Sequence, residues 1–539
     1  MEEISHLPIV LAILDGWGMS PSWGGNAITM GSPPTMNALW RDFPHAILQA
    51  FRQVAGSYQM VGNSEIGHSS IGAGKIVFQD LERISKSIQD KTFFQNPALL
   101  AAARNALSYN SSLHLIGLVS DGGIHSHIKH LFALLRFAKL QNLPKVYIHV
   151  ITDGLDTDST SALKYVSNLE KYIAEIGVGE IATVCGRAFA MDKDNRWENI
   201  VRTMQAMTHG IGNASDSALS VISNAYKAGY TDQYIPPTVI KKNGYPTGKI
   251  TENDSLIFYN FRPDRARELT LALLGMHEVR KKFAAPTNLT FVTFTSYYLP
   301  ASIEKKTNIA FPGEKIQKTL GKIISDNGLK QFRLAESEKS PHVTYFFDCG
   351  SEELLPGEER MIINSPRVQS YAEKPEMSAA ELTDKLILAI KSGKFHFILV
   401  NFANVDCVGH SGDLIAATQA VTIVDDCIKK VSEAVLSEDA TLIITADHGN
   451  AEQMIQVRGS RDRETFHTLS PVPFILVRKD LKDMGRGLIA GGDILSSMVS
   501  SKLSLADIAP TVLELFGIPK PKEMTGRSLL SEIIYNKPR

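Results

Sequence analysis

Four short segments of this 539-residue chain carry residue types suited to phosphate chemistry: Leu14-Asp15-Gly16, Gly62-Asn63-Ser64-Glu65, Asp406 with His410, and Asp447-His448 followed by His467. Together they offer carboxylate and imidazole ligands sufficient for two divalent metals beside one hydroxyl, that of Ser64. A hydroxyl placed on such a cation loses its proton more easily and becomes a usable nucleophile near neutral pH. The pattern points to phosphoryl transfer at Ser64. Singly, each piece has a plain reading, since Asp-Gly is a common turn and an Asp-His pair a common capping feature. Only their combination marks a site.

Carboxylate oxygens mixed with imidazoles suit Mn2+, Zn2+ or Mg2+ better than Ca2+. Asp406 and His410 are four residues apart, which stacks them on one face if the segment is helical, although Gly409 weakens that expectation. Ser64 also reads as a helix N-cap, but Ser64-Glu65-Ile66-Gly67 lacks the capping-box spacing. The two roles are compatible, because amide groups at a helix start help to hold phosphoryl oxygens.

A second set of groups is cationic. Arg187 after Gly186, Lys193, and Arg262-Pro263-Asp264-Arg265 fall between the two clusters of candidate metal ligands, and Lys339 lies beyond them. Guanidinium forks match phosphate and carboxylate oxygens, so this set suits a small phosphorylated acid. His125 lies in a glycine-rich loop after one predicted strand, and Asp153-Gly154-Leu155-Asp156 follows the next. A histidine and a carboxylate at adjacent strand ends can move the protons of substrate hydroxyls.

The elements that must position these groups alternate. Short apolar, β-branched runs at Ile9 to Leu14, Leu113 to Val119, Val146 to Ile151, Leu256 to Phe261, Phe397 to Phe402 and Thr441 to Thr445 read as strands. Ala98 to Leu107, Ile128 to Leu140, Ala379 to Ile390 and Leu414 to Val435 have helical spacing. This is an α/β chain with mainly parallel sheets, and Asp15, Asp447 and His448 follow strands, where such sheets collect ligands. The metal ligands occupy residues 15–64 and 406–467, so the economical architecture is a metal domain interrupted by an inserted one. Gly72-Ala73-Gly74-Lys75 and Phe311-Pro312-Gly313-Glu314 are the expected crossings, and two crossings permit hinge closure.

A formal net charge of −1 gives no general attraction to nucleic acid or anionic membrane. No run approaches the roughly 18 apolar residues of a membrane span. The cysteines Cys185, Cys349, Cys407 and Cys427 show no CxxC spacing, which favours a reducing compartment over a disulfide framework. With the acidic, polar Met1 to His6, these features lead to the expectation of a cytoplasmic protein acting on a small molecule.

The chain resembles the cofactor-independent (2,3-bisphosphoglycerate-independent) phosphoglycerate mutases of the alkaline-phosphatase superfamily. The resemblance runs through LDGWG at 14–18, GNSEIGH at 62–68, SDGGIHSH at 120–127, GRAFAMDKDNRW at 186–197, NFRPDRA at 260–266, AESEKSPHVT at 335–344, NFANVDCVGHSG at 401–412 and TADHGNAE at 445–452. It implies an alkaline-phosphatase-like metal domain, residues 1–78 and 313–539, with an inserted α/β transferase domain, residues 79–312, that binds phosphoglycerate. It also implies two divalent ions, Mn2+ foremost with Mg2+, Zn2+ or Co2+ as alternatives, one on Asp406, His410 and His467, the other on Asp15, Ser64, Asp447 and His448. Ser64 would carry the phosphoryl group between the 3- and 2-positions of one glycerate. Asp156 would be the general acid/base and His125 would lie close to the phosphoryl group. Arg187, Lys193, Arg262, Arg265 and Lys339 would bind substrate, in a monomer.

Some positions depart from the family pattern. Leu155 and Lys193 stand where the family usually has arginine, Cys185 where serine and Phe189 where tyrosine are common. Loss of a charge-assisted hydrogen bond at Leu155 would cost about 1.5–3 kcal/mol. Two other readings stay open from sequence: a metal-dependent phosphatase of small phosphorylated acids, and a catalytically silent phosphometabolite-binding protein.

Overall fold

A computed structural model describes residues 7–50, 63–275, 285–455, 465–485 and 502–535. Gly62 of the serine motif and the stretch Met1 to His6 lie outside the described residues. The chain divides into two compact units, one formed by Met1–Val77 with Lys315–Arg539 and the other by Phe78–Glu314.

The first unit is built on a seven-stranded sheet ordered Glu358–Ile363, Gln331–Glu336, Phe397–Phe402, Ile9–Leu14, Thr441–Thr445, Val472–Val477, His45–Leu48. All neighbouring pairs are parallel except those of Val472–Val477, which runs against both its neighbours. The three central strands are fully buried. Strands covered on both faces need apolar residues at every position, which is why they read as continuous runs. Parallel register sets Leu14 opposite Phe402 and Ile13 opposite both Asn401 and Thr445. Asp15, the helix after Phe402 and the Asp447 loop therefore leave the sheet at the same edge. Leu414–Ser437, whose buried face includes Ala417, Val421, Val424, Ile428 and Val431, belongs to this unit's core.

In the second unit a nine-stranded sheet runs Thr307–Ile309, Thr290–Thr293, Ser255–Phe258, Leu113–Leu118, Val146–Thr152, Glu180–Gly186, Thr238–Lys242, Asn213–Ser215, with Tyr245–Pro246 paired to Thr238–Lys242. Its central pairings are parallel. The loops holding His125 and Asp156 and the short helix Arg187–Ala190 follow three adjacent strands, Leu113–Leu118, Val146–Thr152 and Glu180–Gly186. Among the described residues, no helix is long and apolar enough to cross a membrane.

Candidate metal centre and active site

Asp15 begins the turn after its strand, and Gly16 follows in a left-handed conformation, φ +76°. A Cβ at Gly16 would fall 2.8 Å from the Asp406 Cα, so only glycine lets these two backbones approach. Asp406 lies in the short helix Asn404–Gly409, and His410 closes that helix. Gly409 thus does not break the turn; a side chain there would strike Asn450 instead. Helical spacing aims Asp406 and His410 the same way. His410 Nε2 lies 3.3 Å from Asp406 Oδ1, His467 Nε2 lies 3.4 Å from that oxygen, and the two Nε2 atoms are 3.0 Å apart.

A second cluster gathers Asp15, Asp447 and His448, all inaccessible to solvent. His448 Nε2 lies 3.4 Å from Asp15 Oδ1, 3.3 Å from Asp447 Oδ2 and 2.8 Å from Ser64 Oγ. Asp447 Oδ2 is buried without a hydrogen bond. Ser64 is the first residue of the helix Ser64–Ala73, and the cap is Asn63, whose side chain accepts from Ile66 N at 2.9 Å. This corrects the N-cap reading of Ser64: the hydroxyl is left free to face His448. Gly67 lets the helix close on Asp447, whose Cβ and carbonyl oxygen each lie 2.7 Å from where a Gly67 Cβ would stand.

Lys339 ties the two clusters together, its Nζ lying 3.0 Å from Asp15 Oδ1 and 2.6 Å from Asp406 Oδ2. Burial opposes its charge, but Asp15 and Asp406 hold its proton well above the ordinary lysine range. Burial, then the adjacent Asp447 carboxylate, pushes Asp15 up. Burial also works against Asp406, yet the Lys339 ammonium and the bonds from His410 and His467 hold it well below the usual carboxylate range. The hydrogen bond to Asp406 raises His410, as a carboxylate does for an adjacent imidazole. One ammonium cannot neutralise three buried carboxylates, and buried charge persists only when paired or bound to metal. Two convergent sets of oxygen and nitrogen donors, with Asp447 Oδ2 left without a hydrogen bond, fit two divalent cations.

Residues not singled out from sequence complete this cluster. Asn401 Nδ2 donates to Asp15 Oδ2 at 2.8 Å and lies 3.0 Å from His68 Nε2; His68 Nδ1 lies 2.9 Å from the Ser64 carbonyl oxygen. Asn450 Nδ2 donates to Asp406 Oδ1 at 2.9 Å. All three stand inside recognised motifs, which was the available signal.

In the second unit Arg187 is 2% exposed and shares its Nη1 between Asp153 Oδ1 at 2.6 Å and Asp156 Oδ2 at 2.8 Å. Asp153, also not singled out, further accepts from the Asp156 amide at 3.0 Å and from Ser120 Oγ at 2.7 Å. His125 lies 3.9 Å from Asp156 Oδ2 and 3.7 Å from Asp264 Oδ1. Burial, then the Arg187 charge, lowers His125 to about 4, which leaves a neutral imidazole at neutral pH. Arg262 reaches the group through Asp264 at 3.2 Å, and Arg265 donates to the Met191 carbonyl at 3.2 Å. Lys193 is exposed, and Leu155 is 58% exposed. The structure thus gathers His125, Asp156 and Arg187 closely, with Arg262 at their margin, and leaves Lys193 in solvent.

Residues 84–299 match the family described as BPG-independent PGAM N-terminus, and residues 201–518 match the sulfatase family. The chain is 45% identical to the 2,3-bisphosphoglycerate-independent phosphoglycerate mutase of Clostridium botulinum (strain Langeland), covering 98% of this chain and 100% of that protein. It is 46% identical to that of Acetivibrio thermocellus, covering 97% and 99%. Among solved structures, a Leishmania mexicana phosphoglycerate mutase at low cobalt concentration aligns with TM-score 0.62 and 28% identity over 98% of each chain. The chain belongs to the 2,3-bisphosphoglycerate-independent phosphoglycerate mutase family.

Proposed function

We propose that this protein is an intramolecular phosphotransferase that interconverts 3-phosphoglycerate and 2-phosphoglycerate in glycolysis and gluconeogenesis, without bisphosphoglycerate, through a phosphoserine at Ser64. The observation that carries this reading is the buried Ser64 hydroxyl, 2.8 Å from His448 Nε2 in the set Asp15, Asp447 and His448, which Lys339 joins to the set Asp406, His410 and His467, in a chain whose relatives bear that activity's name over their whole length.

Asp406, His410 and His467 are assigned to one divalent ion, and Asp15, Ser64, Asp447 and His448 to the other; Mn2+ is the first choice. Such ions supply Lewis acidity and make the serine hydroxyl easier to deprotonate. Ser64 attacks the phosphorus of 3-phosphoglycerate, its Oγ–P bond forms as the bond to the 3-oxygen breaks, and the 2-oxygen of the same glycerate later takes the group back. Amide groups at the start of the Ser64–Ala73 helix, apart from Ile66 N, which Asn63 holds, would help to hold the transferred oxygens. Lys339 offsets negative charge where phosphate enters. In the second unit, Arg187, Arg262, Arg265 and Lys193 bind the phosphorylated acid, while Asp156, with the neutral His125 beside it, delivers and removes the protons of the glycerate hydroxyls. Burial of Ser64 supports transfer over hydrolysis, because water reaching the phosphoserine would release phosphate. The protein acts as a cytoplasmic monomer.

An enolase-coupled assay without bisphosphoglycerate tests this. Turnover should appear with Mn2+ and vanish with EDTA. A requirement for added bisphosphoglycerate, or inorganic phosphate as the main product, would overturn the reading.

A further inference from the structure

We propose that His68 and Asn401 form a positioning pair that couples the cation site of Asp15, Asp447 and His448 to the register of the Ser64 helix. The inference rests on the assignment of cations to that site, and it concerns two residues assigned to neither substrate nor ion.

The amide orientation of Asn401 follows from its surroundings. Its Nδ2 faces the Asp15 carboxylate at 2.8 Å, where an amide oxygen would be repelled, so the same NH2 group must present its other hydrogen to His68 Nε2 at 3.0 Å. His68 Nε2 is then an acceptor, and the ring proton sits on Nδ1. That proton points to the Ser64 carbonyl oxygen at 2.9 Å, one helical turn back, with Asp447 Oδ2 at 3.2 Å beside it. A continuous hydrogen-bonded chain therefore links the Ser64 carbonyl, the imidazole, the amide and Asp15, with the Asn401 NH2 group donating to both of its neighbours. Both intermediaries are fully inaccessible to solvent. The His342 ring meets His68 edge-on, centroids 5.1 Å apart, and restricts its rotation.

The consequence is geometric. Asp15 cannot turn its Oδ2 away without breaking the Asn401 bond, so Oδ1 stays directed toward His448 and Lys339. Because Nδ1–H is committed to the Ser64 carbonyl, Asp447 Oδ2 keeps its lone pairs for a cation. Partners of this kind behind metal ligands are worth about 10- to 100-fold in metal affinity. The effect should be confined to one site, because the polar contacts of His68 and Asn401 run to Ser64, Asp15 and Asp447, while Asn450 serves Asp406.

The test is Mn2+ binding read from the electron paramagnetic resonance signal of free Mn2+, which needs no turnover. His68→Ala, His68→Asn and Asn401→Ser are made in a His467→Ala background, where the pair's own site is isolated, and in an Asp447→Asn background, where the other remains. His68→Asn keeps a donor toward the Ser64 carbonyl if the alanine variant fails to fold, and circular dichroism in EDTA establishes which variants are folded. The expected result is Mn2+ affinity about 10- to 100-fold weaker in the first background and unchanged in the second, with His68→Asn weakened less than His68→Ala. Unchanged affinity in the first background, or equal losses in both, overturns the proposal. A wild type that binds Mn2+ at both sites yet lacks mutase turnover would overturn the proposed function and leave this pairing standing.

Discussion

The Lys339 ammonium lies 2.6 Å from Asp406 Oδ2, buried with it among carboxylates that nothing else in the described residues neutralises fully. Lys339→Met should therefore leave uncompensated buried charge and lower the stability of the metal-free protein by about 3–5 kcal/mol. Added Mn2+ should return much of that loss, since cations replace the missing charge. Urea unfolding in EDTA and in Mn2+ measures both. An equal loss under the two conditions would show that the lysine matters by packing alone.

Ser64→Ala removes the hydroxyl and leaves the Asn63 cap, the His68 contact to the residue-64 carbonyl and all six other metal-directed side chains in place. Its fold should persist while mutase turnover falls at least about a thousandfold, the scale of losing a covalent nucleophile. Mass spectrometry of rapidly quenched wild-type enzyme should find phosphate on the peptide containing Ser64. Retention of substantial turnover by the alanine variant would move the nucleophile elsewhere.

How much of this was readable beforehand follows from where each signal lies. Ile9–Leu14, Phe397–Phe402, Thr441–Thr445 and Ile128–Leu140 have the bounds read from the sequence, because burial of both strand faces or of one helix face writes itself into local hydrophobic order. The strand expected at Leu256 to Phe261 ends at Phe258. Tyr259, Asn260 and Phe261 remain buried; the Tyr259 amide makes a last bond to the Ile116 carbonyl at 3.0 Å, after which the Asn260 side chain, not its backbone, accepts from Leu118 N at 3.0 Å. Asn213–Ser215 and Tyr245–Pro246 are too short and polar to announce themselves. Metal ligands were legible because carboxylate and histidine at strand ends are chemically conspicuous. His68, Asn401 and Asp153 were not, since an imidazole inside a helix, an amide inside a strand or a carboxylate in a glycine turn gains its role only from residues distant in sequence.

Arg187 is the sole guanidinium in contact with both Asp153 and Asp156 among the described residues, and all three are largely buried. Arg187→Met should leave two carboxylates facing each other without compensation and destabilise the second unit by about 3–5 kcal/mol. Combining it with Asp153→Asn removes one of those charges, so the double variant should be more stable than Arg187→Met alone. Both should bind phosphoglycerate poorly. Additive losses in the double-mutant cycle would mean that the ion pair observed here carries no coupling energy.

His127 and His130 make the second unit acid-sensitive in a predictable direction. Burial, reinforced by Lys129, lowers His127 to about 4, and burial, reinforced by His127, lowers His130 to about 3, from an ordinary value of 6.5. His127 Nδ1 must be unprotonated to accept from Lys129 N at 3.1 Å and cap the helix Ile128–Leu140. The folded chain therefore keeps both imidazoles neutral in a range where the unfolded chain protonates them. Their stabilising contribution is complete above about pH 6.5 and is lost as the pH falls toward 4, with a slope that approaches about 1.4 kcal/mol per pH unit for each histidine. Urea unfolding in EDTA at a series of pH values between 7 and 5 reads this slope without interference from metal binding. His130→Leu, which cannot take up a proton in either state, should show a slope shallower by one histidine's share, and a variant whose stability follows the wild-type pH dependence across that window would rule out His130 as a source of the acid sensitivity.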